Sequence, residues 1–303
     1  MNAVHDKIRK MIMGRRICVK FYIVDCFAQQ KYQGNQLAVF LPEKDLSAEE
    51  MQQIALEMHF SEVSFICSGK QENGGYRVRI FTPDTEVPFA GHPTLGTAYI
   101  IWKYLEGEQT DRVILNLNAG AIPVTVDGDV LTMRQNPPVY GETVDKHILA
   151  QILSVDADQI RDDFPIQWVS TGLAAYLIPM VDAEAVKRCR VNHLRFEQFF
   201  LEHDKCSLLM FSVEGENRLK ARVFMDDTGF LEDPATGSAN GDLAGYLLKY
   251  DVLGSGKKLN YTVHQGAEAR RPSVLHVQAE ETDGIVTILV GGSACVVAEG
   301  TWG

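Results

Sequence analysis

Two copies of one short pattern stand far apart in the chain. Pro93-x-x-Gly96-Thr97-Ala98 is matched by Pro234-x-x-Gly237-Ser238-Ala239, and every paired position lies 141 residues from its counterpart. A looser match, Arg79-Ile80-Phe81 against Arg222-Val223-Phe224, precedes each copy. Stacked repeats recur at about 20 to 50 residues, so this much longer spacing points to two pseudo-equivalent domains. With 303 residues the chain is long enough for both, since a domain typically takes about 100 to 200.

The order of predicted elements repeats as well. In the first half, Cys18–Phe27 and Leu37–Leu41 are rich in β-branched and aromatic residues and read as strands. Ser47 followed by Glu50 is a capping-box pattern, and Met51, Ile54, Ala55 and Met58 recur at helical spacing. Strand-like segments follow at Val63–Cys67 and Tyr76–Phe81, then a polar loop, then an apolar stretch from Leu95 to Leu105 that reads as a buried helix. In the second half, Trp168–Ser170 and Ala175–Ile178 read as strands, Val181–Val191 as a helix, and Ser207–Phe211 and Ala221–Met225 as strands. The adjacent prolines of Gln135-Asn136-Pro137-Pro138 set a boundary there. The expected division is an N-terminal extension over 1–16, a first domain over 17–134 completed by the returning C-terminus at about 287–303, and a second domain over 135–286. The apolar runs Ile285–Val290 and Ala294–Ala298, separated by Gly291-Gly292-Ser293, form that return.

Each copy of the pattern places a polar loop before a helix start built of small residues, Ala90–Ala98 and Asp233–Gly241. A helix start offers unpaired N–H groups and the positive end of the helix dipole, which suit a carboxylate. Residues without a bulky side chain let a ligand approach that backbone. The 141-residue spacing sets His92 opposite Asp233, so two halves facing each other would bring both into one interdomain cleft. Either residue could equally serve as a helix N-cap. Glu62, at the mouth of the strand after Phe60-Ser61, has no acidic counterpart in the second half, where Asp204-Lys205-Cys206-Ser207 stands. A lone proton-transfer group in a duplicated site would show that asymmetry, and a solvated strand-end glutamate would too.

Four motifs occur in order: Gly34-Asn35, Ser61-Glu62, Pro88-Phe89-Ala90-Gly91-His92-Pro93-Thr94-Leu95-Gly96, and Glu232-Asp233-Pro234-Ala235-Thr236-Gly237-Ser238-Ala239. Together they resemble the phenazine-biosynthesis isomerase family, which is similar in fold to diaminopimelate epimerase. The resemblance implies an α+β fold of two pseudo-symmetric domains, each a curved, barrel-like β-sheet wrapped around a central α-helix. It also implies a cleft in which Glu62 moves a proton between carbon atoms of a small carboxylate-bearing substrate, without metal or organic cofactor. By motif position His92 and Asp233 contact the substrate, and Ser238 with the backbone at Gly91 and Gly237 holds its polar groups. A homodimer is a further implication. The physical logic is that a carboxylate in a water-poor cleft holds protons more tightly and can exchange them near neutral pH, while helix-start N–H groups and His92 stabilise the anion formed. Gln36 departs from the proline that many members carry after Gly-Asn, which alters the turn and not the chemistry. The two-thiol mechanism of diaminopimelate epimerase is not expected, because neither helix-start block contains Cys.

Composition removes other readings. At 46% hydrophobic and 23% charged residues the chain can bury a core, which excludes wholesale disorder. Lys and Arg number 29 against 40 Asp and Glu, for a net charge of -11, so nucleic acid is not an expected partner. No apolar run is long enough to span a bilayer. The scattered six cysteines contain no C-x-x-C and fit a reducing cytoplasm. Residues 1–16 are basic but lack the apolar stretch of a secretory signal. The eight histidines show no H-E-x-x-H spacing, and Ser238 lies in ATGSANG and not G-x-S-x-G. The remaining rivals are a non-catalytic binding or interaction protein on the same scaffold and a racemase of an amino-acid-like substrate.

Overall fold

The period-two runs of β-branched and aromatic residues form strands, and two segments of small and apolar residues form helices that the strands enclose. The computed structural model describes residues 18–227 and 230–303, so the extension expected over 1–16 lies outside the described residues. In chain order the first half contains β1 (Val19–Cys26), β2 (Asn35–Pro42), α1 (Ala48–Met58), β3 (Val63–Ile66), β4 (Tyr76–Phe81), β5 (Glu86–Val87), α2 (Gly91–Ile100), β6 (Arg112–Leu117), β7 (Gly120–Asp127) and β8 (Val130–Arg134). The second half continues with β9 (Val139–Val144), α3 (Lys146–Leu153), β10 (Ile166–Ser170), β11 (Ala174–Pro179), α4 (Ala183–Arg188), α5 (His193–Phe199), β12 (Ser207–Gly215), β13 (Arg218–Asp227), β14 (Phe230–Asp233), α6 (Gly237–Tyr250), β15 (Lys258–Gln265), β16 (Ser273–Thr282) and β17 (Ile285–Trp302).

The strand pairings repeat like the elements. β2 runs parallel to β3 and β4 to β6; in the second half β11 runs parallel to β12 and β13 to β15. Each half also carries a short hairpin, β4–β5 or β13–β14, directly before its central helix. The first sheet closes through β17, β1, β2, β3, β4, β6, β7 and β8 back to β17. The second runs from β9 through β10, β11, β12, β13, β15 and β16 to the opening of β17. The fold is therefore α+β, with two curved sheets each wrapped around a helix.

Those helices are buried on every side. All ten residues of α2 and the first eleven of α6, Gly237–Leu247, are buried. A helix enclosed all round must be thin and must answer its own polar groups. Glycine supplies the thinness: a Cβ on Gly96 would stand 2.5 Å from Cys26 Sγ and 2.6 Å from Leu37 Cδ2, and one on Gly245 would stand 2.7 Å from Pro138 Cβ. Buried hydroxyls find partners, Thr94 Oγ1 donating to Ala90 O at 2.7 Å and Thr97 Oγ1 forming a hydrogen bond with Ser64 Oγ of β3 at 2.6 Å.

Several boundaries differ from the sequence reading. The helix read from Leu95 begins at Gly91, and its last five residues, Ile101–Leu105, wind as a π-helix. The span Val181–Val191 yields only Ala183–Arg188, capped by Asp182 Oδ1 accepting from Ala185 N at 2.7 Å. The Ser47–Glu50 capping box is present as expected. Gly291-Gly292-Ser293, which separates the two apolar runs of the sequence, lies inside one continuous strand. β17 pairs with β16 in its first part, with β8 in the middle and with β1 over Ala294–Trp302. No described helix is long and apolar enough to cross a membrane.

The glycines let β17 pass from one sheet to the other. A Cβ on Gly291 would meet Leu131 O at 2.5 Å and Thr132 Oγ1 at 2.4 Å; one on Gly292 would meet Phe27 Cδ1 at 2.6 Å. The obstacle at Gly291 is backbone, which cannot rotate away. Gly291→Ala should therefore cost about 1–3 kcal/mol as an overpacked site. Gly69→Ala, where the added methyl meets nothing within 4 Å, should stay within about 0.5 kcal/mol of wild type. Urea unfolding of the two variants compares them, and equal midpoints would refute the steric account of the crossing.

Candidate active site

The two enclosed helices bring their N-termini together. A Cβ on Gly91 would lie 3.6 Å from Gly237 Cα and 3.5 Å from the Ser238 backbone nitrogen. The N-cap residues are Ala90 and Thr236, and neither makes a side-chain cap bond. Alanine cannot, and the Thr236 hydroxyl instead donates to Asp233 Oδ2 at 2.6 Å. Two positive helix ends thus face a cavity of about 270 Å³, whose lining includes Glu62, His92, Asp233 and Ser238. Such a site suits a small anion.

Glu62 reaches the cavity through the geometry of α1. The helix ends at His59 in the left-handed conformation, its N–H bonding Ala55 O at 3.1 Å. Phe60-Ser61-Glu62 then cross the cavity wall before β3 begins. Glu62 Oε2 stands 3.5 Å from His92 Nε2. The imidazole is the second residue of α2 and is buried. Burial drives its pKa down to about 4, against the opposing pull of Asp233 and of the Gln36 backbone. At neutral pH His92 is an uncharged hydrogen-bonding group.

Asp233 closes β14, and Gln265 Nε2 donates to its backbone oxygen at 2.8 Å. Burial raises its carboxyl pKa to about 6; His92, Thr236 and Asn35 hold it down, while Glu62 adds to the rise. Asn35 joins the halves. Its Nδ2 lies 2.6 Å from Asp233 Oδ1, 3.1 Å from Ala235 O and 3.2 Å from His92 Nδ1. The turn before it is fixed from the second half, where Arg271 donates to Gly34 O at 2.7 Å, Gln33 O at 2.6 Å and Asp25 Oδ1 at 2.5 Å. Gly34 takes φ +67°, and a Cβ there would fall 2.1 Å from Cys26 O.

All six residues singled out in the sequence, Glu62, Gly91, His92, Asp233, Gly237 and Ser238, line this one cavity. The pairing logic behind two of them needs correction. The helix starts are 146 residues apart and not 141, so Gly91 matches Gly237 and His92 matches Ser238. The same register aligns Glu86 with Glu232. Each forms a two-pronged bond with the arginine of its own hairpin, Arg79 or Arg222. Val87 takes the position of Asp233. His92 and Asp233 meet because both flank the junction, and neither is an N-cap. The better match, Glu86-Val87-Pro88-Phe89-Ala90-Gly91 against Glu232-Asp233-Pro234-Ala235-Thr236-Gly237, was available in the sequence. Sequence reasoning also missed Asn35, Thr236, Gln265 and Arg271 as parts of the site. In the sequence Gly34-Asn35 stands out only as a motif. Among the described residues no His, Cys, Asp and Glu cluster is placed to hold a metal ion, and no cysteine lines the cavity.

The two perturbed groups act on stability with opposite sign. His92 has a native pKa of about 4 against an ordinary 6.5, so the unfolded chain binds the proton across that window and stability rises with pH there. Asp233 is raised from 3.8 to about 6, so its contribution is present below 3.8 and is lost as pH climbs to 6. Each amounts to about 3 kcal/mol. His92→Gln removes the rising contribution and leaves the falling one. The stability difference between wild type and His92→Gln should grow in favour of wild type from pH 4 to 6.5, as read by urea titration. A difference that does not vary with pH would mean that His92 is not held neutral by burial.

Comparison with known proteins agrees with this architecture. A family model described as phenazine biosynthesis-like protein matches residues 24–300. The trans-2,3-dihydro-3-hydroxyanthranilate isomerase of Pseudomonas aeruginosa is 32% identical over 93% of this chain and 98% of its own length. An uncharacterised isomerase of Pasteurella multocida is 31% identical over 92% of each. The crystal structure of a PhzF-family phenazine biosynthesis protein from Bacillus anthracis superposes with a TM-score of 0.85 at 26% identity, covering 94% of this chain and 99% of that one. With that match spanning nearly all the described residues, the chain belongs to the phenazine biosynthesis-like family and is an isomerase.

Proposed function

We propose that this isomerase moves a proton between carbon atoms of a small carboxylate-bearing substrate, with Glu62 as the general acid and base. The observation that carries the reading is the convergence of Glu62 and His92 from one half, and Asp233 and Ser238 from the other, on one cavity between two uncapped helix starts. A substrate carboxylate or the anion formed on proton removal is stabilised by those helix ends. Glu62 takes the proton from one carbon and returns it to another, which needs no redox partner. His92, neutral at pH 7, and Asp233 orient the substrate, and Ser238 with the Gly91 and Gly237 backbone binds its polar atoms. The chemistry makes no demand for a metal or organic cofactor. A homodimer in a reducing cytoplasm completes the proposal. The location rests on the cysteines, which are all free thiols in the structure. A sedimentation experiment giving a single species near 33.8 kDa would overturn the dimer.

The relative from Pseudomonas aeruginosa supplies the first probe, trans-2,3-dihydro-3-hydroxyanthranilate. In D2O the wild-type protein should place deuterium on its ring carbons, read by proton NMR. Glu62→Gln should lower that rate by about 10²–10⁴-fold while leaving the dissociation constant nearly unchanged. A variant that exchanges at the wild-type rate would remove Glu62 from this role. Binding of the probe by wild type without any exchange would favour the rival reading of a binding protein on the same scaffold.

A further inference from the structure

We propose that Asn35 is the positioning residue of the site: its amide nitrogen tethers Asp233 and, by donating to His92 Nδ1, fixes the imidazole in the tautomer that carries its proton on Nε2, the nitrogen beside Glu62. The assignment follows from which atoms can share a hydrogen. The Asn35 side-chain atom 3.1 Å from Ala235 O faces a carbonyl, and the same atom lies 2.6 Å from the Asp233 carboxylate. Both are acceptors, so that atom is the NH2 group; the amide oxygen there would set lone pairs against lone pairs. His92 Nδ1 then faces a donor at 3.2 Å. A protonated Nδ1 would press one N–H against another, so Nδ1 accepts and the ring proton resides on Nε2. That nitrogen stands 3.5 Å from Glu62 Oε2.

Asn35 is suited to this role because it is itself immobile. It is buried, and it opens β2 immediately after a turn that Arg271 clamps through two carbonyls and Asp25. The Gly34 N–H adds a bond to Pro272 O at 3.1 Å. The two hydrogens of one amide thus serve three acceptors, Asp233 of the second half taking one at 2.6 Å while Ala235 O and His92 Nδ1 divide the other at 3.1 and 3.2 Å. The consequence is a neutral donor at Nε2 that can hold the Glu62 carboxylate or a polar atom of the substrate without taking the proton in transit. Its effect on turnover rests on the role proposed above for Glu62, whereas the tautomer does not.

The tautomer can be read without a substrate. In wild-type protein labelled with 15N-histidine, two-bond proton–nitrogen correlation at pH 7 should show His92 with an unprotonated Nδ1 and a protonated Nε2. In Asn35→Asp, a single carboxyl oxygen replaces the NH2 group. It can donate one proton to Asp233 and accept from Nδ1–H, so the pattern should reverse. The same variant should lose deuterium exchange into trans-2,3-dihydro-3-hydroxyanthranilate by on the order of 10²-fold in kcat, with KM changed far less. A wild-type His92 protonated on Nδ1 would overturn the assignment, and this holds even if the variant does not fold. A reversed tautomer with kcat intact would overturn the positioning role. Failure of the Glu62→Gln test instead would sink the proton-transfer reading while leaving the histidine spectrum to decide this one.

Discussion

Everything at the centre of this molecule depends on two helix starts that meet with nothing but glycine between them. A helix buried along its whole length has no solvent to answer its first N–H groups, and such groups are costly to leave unmade. Here Ala90 and Thr236 leave them without side-chain caps. The close approach of Gly91 and Gly237 concentrates both positive ends at one point. The barrels hold the helices in place through Gly96, Gly241 and Gly245, where an added methyl would collide with the surrounding sheet or the segment leading into it. An anion-binding cleft is therefore a consequence of how two enclosed helices pack, before any particular side chain is considered.

Chemistry enters where the duplication breaks. The hairpins keep the same arginine–glutamate pair, and the helix starts keep the same glycine. Around them the equivalents diverge: His92 against Ser238, Val87 against Asp233, and Glu62 at the residue before β3 against Cys206 before β12. Each half thus contributes a different polar group to a common cavity. Asn35 joins these unlike groups, and its partners come from both halves. A symmetric pair of bases, as a two-thiol racemase needs, is absent from the lining residues that are described.

Much of the fold was legible because its signals are local. The Ser47–Glu50 box, the β-branched runs and the small-residue helix starts each report on a few adjacent residues, and the structure contains them all. The site residues were legible because they sit in those same blocks. What failed was long-range. The Gly291-Gly292 pair shows in the sequence only as a gap between two apolar runs, yet its role is set by Thr132 and Phe27, which lie far away in sequence. The 141-residue register came from small residues that recur in any tightly packed helix. The true register of 146 is carried by Glu86 and Glu232, whose importance shows only when Arg79 and Arg222 are seen to grip them. Asn35 went unassigned because a buried amide has no periodicity; its meaning lies in partners as distant as Asp233 and Ala235.

The energetics of Asp233 argue that the site is selected for function over stability. Burial raises the Asp233 carboxyl to a pKa of about 6 even though His92, Thr236 and Asn35 oppose the rise, so ionising it there is costly. A hydrophobic residue would cost less, and the pseudo-equivalent position in the first half indeed carries Val87. Three hydrogen bonds, from Asn35, Thr236 and Gln265 to its side chain or backbone, are devoted to holding Asp233 in one orientation. Residues so thoroughly oriented around a group that burial destabilises are what a preorganised polar site requires. The neutral state of His92 fits the same logic. A cation at that position would pair with Glu62, 3.5 Å away, whereas an uncharged imidazole leaves the carboxylate free for the proton-transfer role proposed for it.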